Sequence, residues 1–314
     1  MLQPGCDRQL VYAHHGSLLY HYLPVKQTNT APILIIYALV NTPKILDLHP
    51  NRSFIRQLLE QNNDVYLLEW GDPSASKSLA DYILEDIHLA VNTVANLSQQ
   101  SVHLMGVCQA GYFSLCYAAL FPEKIASLIP MVTPVDFEVK HNRIFQLLRY
   151  IDLKQFFDTF DQTVPGWLVN HFLRQIAPFD NLVKKCRAMS REAPLENEIF
   201  IALESWAAEC PAQSPLALLE FTQECVQNNA LVKGEFLLQN NAIVLANIQL
   251  PILNIYATQD HFWPTATVQA LATYYRGRCY QEYAFGGGHV GVFVSQKGLR
   301  EIPEVINDWI TKGV

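Results

Sequence analysis

The chain has 314 residues, of which half are hydrophobic and 16% are charged. That composition supplies material for a sizeable buried core and excludes a disordered or low-complexity protein. With 22 basic against 29 acidic side chains, the net charge of −7 argues against a protein that binds nucleic acid through its phosphates.

Targeting signals and cysteine content indicate the cellular compartment of the protein. No apolar run approaches the roughly 20 residues that span a bilayer, and the stretch from Met1 to Gly16 lacks the apolar segment of a signal peptide. The seven cysteines are an odd number and include no CxxC pair, which argues against a disulfide framework or a zinc site. We therefore expect a cytoplasmic protein without a membrane span or a bound metal.

The first part of the chain alternates β-rich runs with helical stretches. The predicted strands cover residues 17–22, 32–37, 64–68, 102–105 and 125–132. The predicted helices cover residues 54–60, 79–97 and 112–121. The continuous apolar run at 32–37 is typical of a strand covered on both faces, whereas 17–22 is assigned to the edge of the sheet. Such alternation predicts right-handed crossovers and a mostly parallel sheet.

The pattern changes after residue 136 and resumes near residue 248. The segment 137–247 is mostly helical, is broken by prolines, and ends in a predicted hairpin of residues 231–238 and 242–248. A strand at 252–256, a helix at 265–275, a strand at 279–284 and a helix at 291–311 follow. We therefore divide the chain into a core of residues 1–136 and 248–314 and a cap of residues 137–247. The cap is expected over the carboxyl edge of the sheet, where open α/β sheets bind ligands.

One turn carries the strongest chemical signal. The sequence GVCQAG at residues 106–111 lies between a predicted strand and a predicted helix, which is the context of a nucleophile elbow. Such a turn forces its apex residue, here Cys108, into a strained conformation above the sheet, and the helix N-terminus favours a thiolate there. The alternative is that Cys108 is a small buried core residue, as most free cysteines are.

Two later residues lie where an elbow nucleophile needs partners. Asp260 follows the strand at 252–256, and His289 follows the last strand in the glycine-rich loop FGGGH. The chain order of nucleophile, acid and base matches the order in elbow enzymes. His289 would take the proton of Cys108, and Asp260 would hold the imidazole. Backbone N–H groups of Val40 and Gln109 are the predicted oxyanion donors.

Other side chains compete for these roles. Asp136 is an alternative acid, although it serves equally well as a cap of the helical insertion. His261 is a candidate pocket residue beside the predicted acid, and His103 alternates within a buried strand, which is typical of a core histidine. No histidine spacing suggests a metal site, and no glycine-rich loop suggests a nucleotide.

Seven stretches of the chain resemble the catalytic subunit of polyhydroxyalkanoate synthases, of the short kind that works with a separate accessory subunit. They are residues 37–61, 64–73, 104–125, 131–137, 231–236, 251–264 and 285–295. The resemblance implies an α/β-hydrolase fold in which Cys108 is the acylated nucleophile, His289 the general base and Asp260 the acid. In the family the acid has also been thought to help activate the attacking hydroxyl, and the sequence leaves both roles open for Asp260. Ala110 and Glu69 depart from the pattern, since the family usually has Gly and Asp at these positions.

The resemblance also implies a reaction and partners. The enzyme would polymerise 3-hydroxyacyl-CoA, with 3-hydroxybutyryl-CoA as the expected monomer, and coenzyme A would be part of the substrate rather than a cofactor. An accessory subunit, a homo-oligomer and the surface of a polyester granule are the expected surroundings. The cap contributes apolar residues suited to such a substrate or to its own core, namely Phe145, Leu147, Phe156, Phe157, Phe160, Trp167, Leu168 and Phe172.

Two other functions fit the same scaffold. A cysteine hydrolase of esters or thioesters would use water as the acceptor of the acyl group. A catalytically silent subunit would only dock onto a partner or a granule, although the intact set of Cys108, Asp260 and His289 argues against it.

Overall fold

The computed structural model describes residues 5–24, 26, 30–176 and 194–312. An eight-stranded sheet lies at its centre. Its strands are β1 (Arg8–His14), β2 (Ser17–Tyr22), β3 (Ile33–Ile36), β4 (Val65–Glu69), β5 (Val102–Val107), β6 (Ile125–Met131), β7 (Ile252–Ala257) and β8 (Tyr280–Phe285). Their spatial order is β1-β2-β4-β3-β5-β6-β7-β8. Strand β2 is antiparallel to both its neighbours, and the other strands are parallel, as the alternation of elements predicts.

Helices connect these strands and fill the segment before β7. They are α1 (Phe54–Glu60), α2 (His88–Ser98), α3 (Gln109–Leu120), α4 (Arg143–Leu148), α5 (Leu153–Phe157), α6 (Gly166–Ile176), α7 (Pro194–Ala208), α8 (Pro215–Glu220), α9 (Ala230–Lys233), α10 (Thr265–Gln269), α11 (Leu271–Tyr274), α12 (Gly291–Val294) and α13 (Gln296–Thr311). Wider, π-helical turns at Asp81–Ile87 and Phe221–Gln227 adjoin α2 and α8. The helix predicted at 291–311 is divided at Ser295, whose extended backbone and side-chain cap to the Gly298 N–H begin α13.

The assignment of residues 17–22 to the edge of the sheet is wrong. Strand β1 lies outside β2 and forms the edge, joined to it by a turn at His15 and Gly16 with φ of 46° and 87°. Most side chains of β1 are exposed, so the strand lacks the alternation of apolar and polar residues that identifies a half-buried strand. Arg8 of β1 forms an ion pair with Glu69 at the end of β4.

The core consists of one hydrophobic cluster on each face of the sheet. Strand β3 contributes Leu34 and Ile36 to one cluster and Ile33 and Ile35 to the other. All four side chains are fully buried. A strand with helices on both faces therefore needs the continuous apolar run seen at this position.

The hairpin predicted near residue 240 is much shorter than expected. Only Leu237–Leu238 and Asn241–Ala242 pair as strands. Residues 231–233 belong to α9, which ends at Gly234 in a left-handed conformation (φ 70°) that glycine adopts without strain. The division of the chain into core and cap stays a prediction. No helix in the described ranges has the length and apolarity that a membrane span requires.

Candidate active site

Cys108 occupies the apex between β5 and α3. Its φ of 54° and ψ of −121° lie in a region that side-chain-bearing residues rarely adopt, which is the strain expected of an elbow. Its N–H donates to the Met131 carbonyl at 2.8 Å, which ties the turn to β6. At Gly106, a Cβ would lie 2.6 Å from both the Ala110 carbonyl oxygen and the Ser114 hydroxyl. The helix therefore passes too close to the strand for any side chain at that position.

Asp260 and His289 form a hydrogen-bonded pair. His289 Nδ1 lies 2.7 Å from Asp260 Oδ2, and the other carboxylate oxygen accepts the N–H groups of Phe262 (2.8 Å) and Trp263 (3.1 Å). The Asp260 side chain is only 2% exposed. These contacts orient the imidazole so that Nε2 is the nitrogen left for a reacting partner.

Cys108 and His289 line the same cavity and interact with each other. Burial by itself would lower the pKa of His289, but the Asp260 carboxylate and the Cys108 sulfur together raise it to about 10. In this arrangement His289 carries its proton at neutral pH. The structure therefore brings together the three side chains that the sequence singles out, while their catalytic roles stay predictions.

The cavity has a volume of about 180 Å³ and is mostly apolar. Most of its wall comes from the insertion between β6 and β7 and from the loop after β7. These residues are Ile144, Leu148, Val169, Asn170, Phe172, Leu173, Trp206, Leu218, Phe221, Thr222, Val226, Phe262 and Trp263. Of the eight apolar residues named from the sequence of the insertion, Phe172 alone belongs to this set. Helical spacing did not distinguish a side chain that faces the cavity from one that packs within the insertion.

The two predicted oxyanion donors also line the cavity. Gln109 is the first residue of α3, so its N–H has no acceptor within the helix. Within the described part of the chain, the Val40 N–H donates to no protein group. Both N–H groups are therefore available to a ligand, and their role stays a prediction.

The competing residues lie elsewhere. Asp136 accepts hydrogen bonds from Asn229 Nδ2 (2.8 Å) and the Tyr274 hydroxyl (3.2 Å). Its carboxylate therefore connects the start of α9 to α11. His261 is exposed and is not part of the cavity wall. His103 is buried against the Ser127 hydroxyl at 2.8 Å, and burial lowers its pKa to about 4, as suits a core histidine.

Tyr37 is a cavity residue that the sequence did not single out. It follows the last residue of β3 and lines the wall together with Cys108. Its pKa is raised by burial and by the neighbouring sulfur of Cys108. Its place directly after a parallel strand, at the edge where ligands bind, is the sequence feature that could have identified it.

In the described ranges, no cluster of three or more His, Cys, Asp or Glu side chains is suited to hold a metal ion.

Comparison with known proteins identifies the family. A sequence profile of the alpha/beta hydrolase fold matches residues 31–294. A poly(3-hydroxyalkanoate) polymerase subunit PhaC from Thiocystis violacea is 36% identical over 97% of this chain and 88% of that protein. The subunits of that name from Allochromatium vinosum and Synechocystis sp. are each 34% identical over 97% of this chain, and the matches cover 88% and 84% of those proteins. This chain belongs to the PhaC family.

Solved structures of other proteins share the fold of this PhaC-family chain. A lipase-esterase related protein from Clostridium acetobutylicum superposes with a TM-score of 0.57 at 13% identity, covering 94% of this chain and 98% of the other. A thioesterase domain from the curacin biosynthetic pathway superposes with a TM-score of 0.53 at 13% identity, covering 98% and 99%. At such identities the likeness shows the α/β-hydrolase fold alone. The fold predicted from the sequence is confirmed.

Proposed function

We propose that this PhaC-family protein is an acyltransferase that polymerises 3-hydroxyacyl-CoA into a polyester through an acyl-enzyme at Cys108. The observation that carries the proposal is the strained Cys108 sharing an apolar cavity with His289, which is itself hydrogen-bonded to Asp260 at 2.7 Å. The identity of 36% to a polymerase subunit over almost the whole chain supports it.

The first step loads the enzyme. The Cys108 thiolate attacks the thioester carbonyl, and the backbone N–H groups of Val40 and Gln109 stabilise the resulting oxyanion. The C–S bond to coenzyme A then breaks, and the departing thiolate takes the proton that His289 holds. The products are free coenzyme A and an acyl group on the Cys108 sulfur. One thioester has replaced another, so the acyl group keeps its reactivity.

The second step extends the chain. His289, now neutral, takes the proton of the 3-hydroxyl of another acyl unit, and that oxygen attacks the acyl carbonyl on Cys108. An ester bond forms, the bond to sulfur breaks, and the Cys108 thiolate and the protonated His289 return together. Asp260 stabilises the imidazolium in both steps without giving up or taking a proton.

The cavity has room for a small monomer. A cavity of about 150 Å³ in another protein binds benzene, so the volume of about 180 Å³ suits an acyl unit of about four carbons, such as 3-hydroxybutyryl. The apolar wall supplied by the segment 137–247 would exclude water, which competes with the 3-hydroxyl for the acyl-enzyme. We therefore assign that segment the role of a cap over the core formed by residues 1–136 and 248–314.

The proposed polymerase activity also implies a partner subunit, an oligomeric state and a location. The relatives are named as polymerase subunits, which supports an accessory subunit as a partner of this chain. A homo-oligomer and a cytoplasmic location at the surface of the growing polyester granule complete the proposal. Coenzyme A enters and leaves with each monomer, so the scheme requires no further cofactor.

Incubation with 3-hydroxybutyryl-CoA tests the proposal. Release of free thiol and formation of polymer are followed together for the wild-type protein and for Cys108→Ala and Cys108→Ser. We expect thiol release, insoluble polyester and an acyl adduct on the Cys108 peptide in the wild type, and none of these in Cys108→Ala. Free 3-hydroxybutyrate as the sole product would show a hydrolase instead. Wild-type accumulation of polyester in cells that carry Cys108→Ala would show a catalytically silent subunit.

A further inference from the structure

The backbone of Leu39 is held from two sides by glutamine side chains that are distant in sequence. Its N–H donates to Gln109 Oε1 at 3.2 Å, and its carbonyl accepts from Gln213 Nε2 at 2.7 Å. Gln109 begins the helix after the nucleophile elbow, whereas Gln213 belongs to the insertion between β6 and β7. Both glutamines are buried, and Gln213 is only 3% exposed.

These two contacts determine where the next N–H points. The Leu39 carbonyl and the Val40 N–H belong to one trans peptide, so they point in opposite directions across its plane. Leu39 and Gln213 line a second cavity of about 170 Å³, whereas Val40 lines the cavity that holds Cys108. A hydrogen bond that pulls the carbonyl toward Gln213 therefore aims the Val40 N–H toward the Cys108 side.

Gln213 is itself rigidly placed. Its backbone exchanges two hydrogen bonds of 2.9 Å with Val164, and its side-chain amide also donates to the Pro211 carbonyl at 3.1 Å. The insertion makes a second hydrogen bond to the loop after β3, in which the Trp206 indole N–H donates to the Thr42 carbonyl at 2.8 Å. The orientation of the loop after β3 thus depends on the position of the insertion.

We propose that Gln213 is a positioning residue that orients the Val40 N–H as an oxyanion donor. The inference rests on the proposed function, because an oxyanion arises only when Cys108 attacks a carbonyl. It also means that displacement of the cap from the core disassembles the oxyanion site while leaving Cys108, His289 and Asp260 in place.

Two reactions of Cys108 separate this role from a general structural one. Acylation by 3-hydroxybutyryl-CoA passes through an oxyanion, whereas alkylation by iodoacetamide does not. In Gln213→Met, which keeps the volume and removes both donors, we expect single-turnover acylation to fall about 10- to 100-fold. Alkylation of Cys108, measured on its peptide by mass spectrometry, should stay within about two-fold of the wild type, since the thiol itself is undisturbed.

Ser214→Ala is the matched control. Ser214 is the neighbouring buried side chain of the insertion, and its hydroxyl donates to the carbonyls of Ala75 (3.1 Å) and Lys77 (2.6 Å) rather than to the Leu39–Val40 peptide. In Ser214→Ala we expect the rates of Cys108 acylation and Cys108 alkylation either to fall by the same factor or to stay unchanged. An equal selective loss of acylation in Ser214→Ala would overturn the role of Gln213, as would wild-type acylation in Gln213→Met.

Gln213→Glu adds a pH signature. A buried glutamic acid donates a hydrogen bond to the Leu39 carbonyl when protonated and repels it when ionised. The acylation rate relative to wild type should therefore rise for Gln213→Glu as the pH falls from about 8 to about 6, and stay constant for Gln213→Met. A constant ratio for both variants would contradict the inference.

The failure of the proposed function is distinguishable from the failure of this inference. If 3-hydroxybutyryl-CoA does not acylate the wild-type protein, the proposed function is wrong, and p-nitrophenyl butyrate then takes its place as the acyl donor. The same selective loss in Gln213→Met would uphold the positioning role with that ester. If neither compound acylates Cys108, both proposals are wrong.

Discussion

The neighbours of the His289 imidazole favour its protonated form. Burial disfavours the charged ring, yet the Asp260 carboxylate and the sulfur of Cys108 outweigh it and raise the pKa of His289 to about 10. Since the raised value favours the protonated form, the imidazolium persists through neutral pH and is lost only as the pH rises through about 10. The protonated form of His289 is the one that the proposed loading step requires, because the departing thiolate takes its proton there.

Replacing Asp260 by Asn should lower the pKa of His289, because the carboxylate is the main group that raises it. We expect the imidazolium of Asp260→Asn to deprotonate at lower pH than in the wild type and single-turnover acylation at pH 7 to fall about 100-fold or more. Histidine NMR titration, with His289→Gln to identify the signal, measures the first effect, and thiol release measures the second.

Asp136→Asn provides the control for this prediction, since Asp136 is the other acid that the sequence allows. Its carboxylate contacts Asn229 and Tyr274 rather than His289. The titration of His289 should therefore be unchanged in Asp136→Asn. A shift there, or a wild-type titration in Asp260→Asn, would reverse the assignment of the acid.

At the scale of elements, the close approach of β5 and α3 is what places Cys108. The Cβ that Gly106 lacks would meet the Ala110 carbonyl and the Ser114 hydroxyl at 2.6 Å, and backbone at this distance cannot yield without moving the helix. Ala110 is fully buried, so the contact accommodates a methyl group at that position but has no space for one at Gly106.

Gly106→Ala should therefore destabilise the fold by about 1–3 kcal/mol, as overpacking does, and lower the acylation of Cys108 by shifting the elbow. Urea unfolding and thiol release measure the two effects. Gly291→Ala is the matched control, because its added Cβ would have only the Phe285 ring in reach, at 3.9 Å. Equal losses of stability in the two variants would mean that the helix–strand contact is not what Gly106 preserves.

At the scale of the whole molecule, contacts to carboxylate side chains join α7 of the insertion and the residue after it to the segment after β3. Arg52 lies 2.8 Å from Glu196, with a side chain only 10% exposed, and His49 lies 3.4 Å from Glu198. Lys44 and Glu209 form a further ion pair, but both side chains are more exposed, at 64% and 38%. The contact through Arg52 should therefore matter most, because a guanidinium left buried without its partner is costly.

We expect Glu196→Ala to lower the free energy of unfolding by about 1–3 kcal/mol and to increase hydrogen exchange in α7. Glu209→Ala removes an exposed pair and should change the free energy of unfolding by about 0.5 kcal/mol or less. Urea unfolding and hydrogen-exchange mass spectrometry compare the two. A larger effect in Glu209→Ala would show that the solvent-exposed pair, rather than Arg52, holds the insertion to the core.

Much of the fold and the core of the site followed from local patterns and chain order. Apolar runs such as residues 32–37 need helices on both faces, and alternating elements of this length form a parallel sheet. Because the carboxyl ends of parallel strands share one edge, a cysteine after β5, an acid after β7 and a histidine after β8 were expected to meet there. The structure places Cys108, Asp260 and His289 together at that edge.

Other features depended on contacts that no local pattern contains. Strand β1 has few buried side chains and is identified by its pairing with β2, and the wall of the cavity depends on which face of each helix in the insertion turns inward. The direction of the Val40 N–H depends on a hydrogen bond between Leu39 and Gln213, which are 174 residues apart. Side-chain periodicity reports burial along one element, whereas the orientation of a single peptide in a loop is decided by whatever the folded chain brings against it.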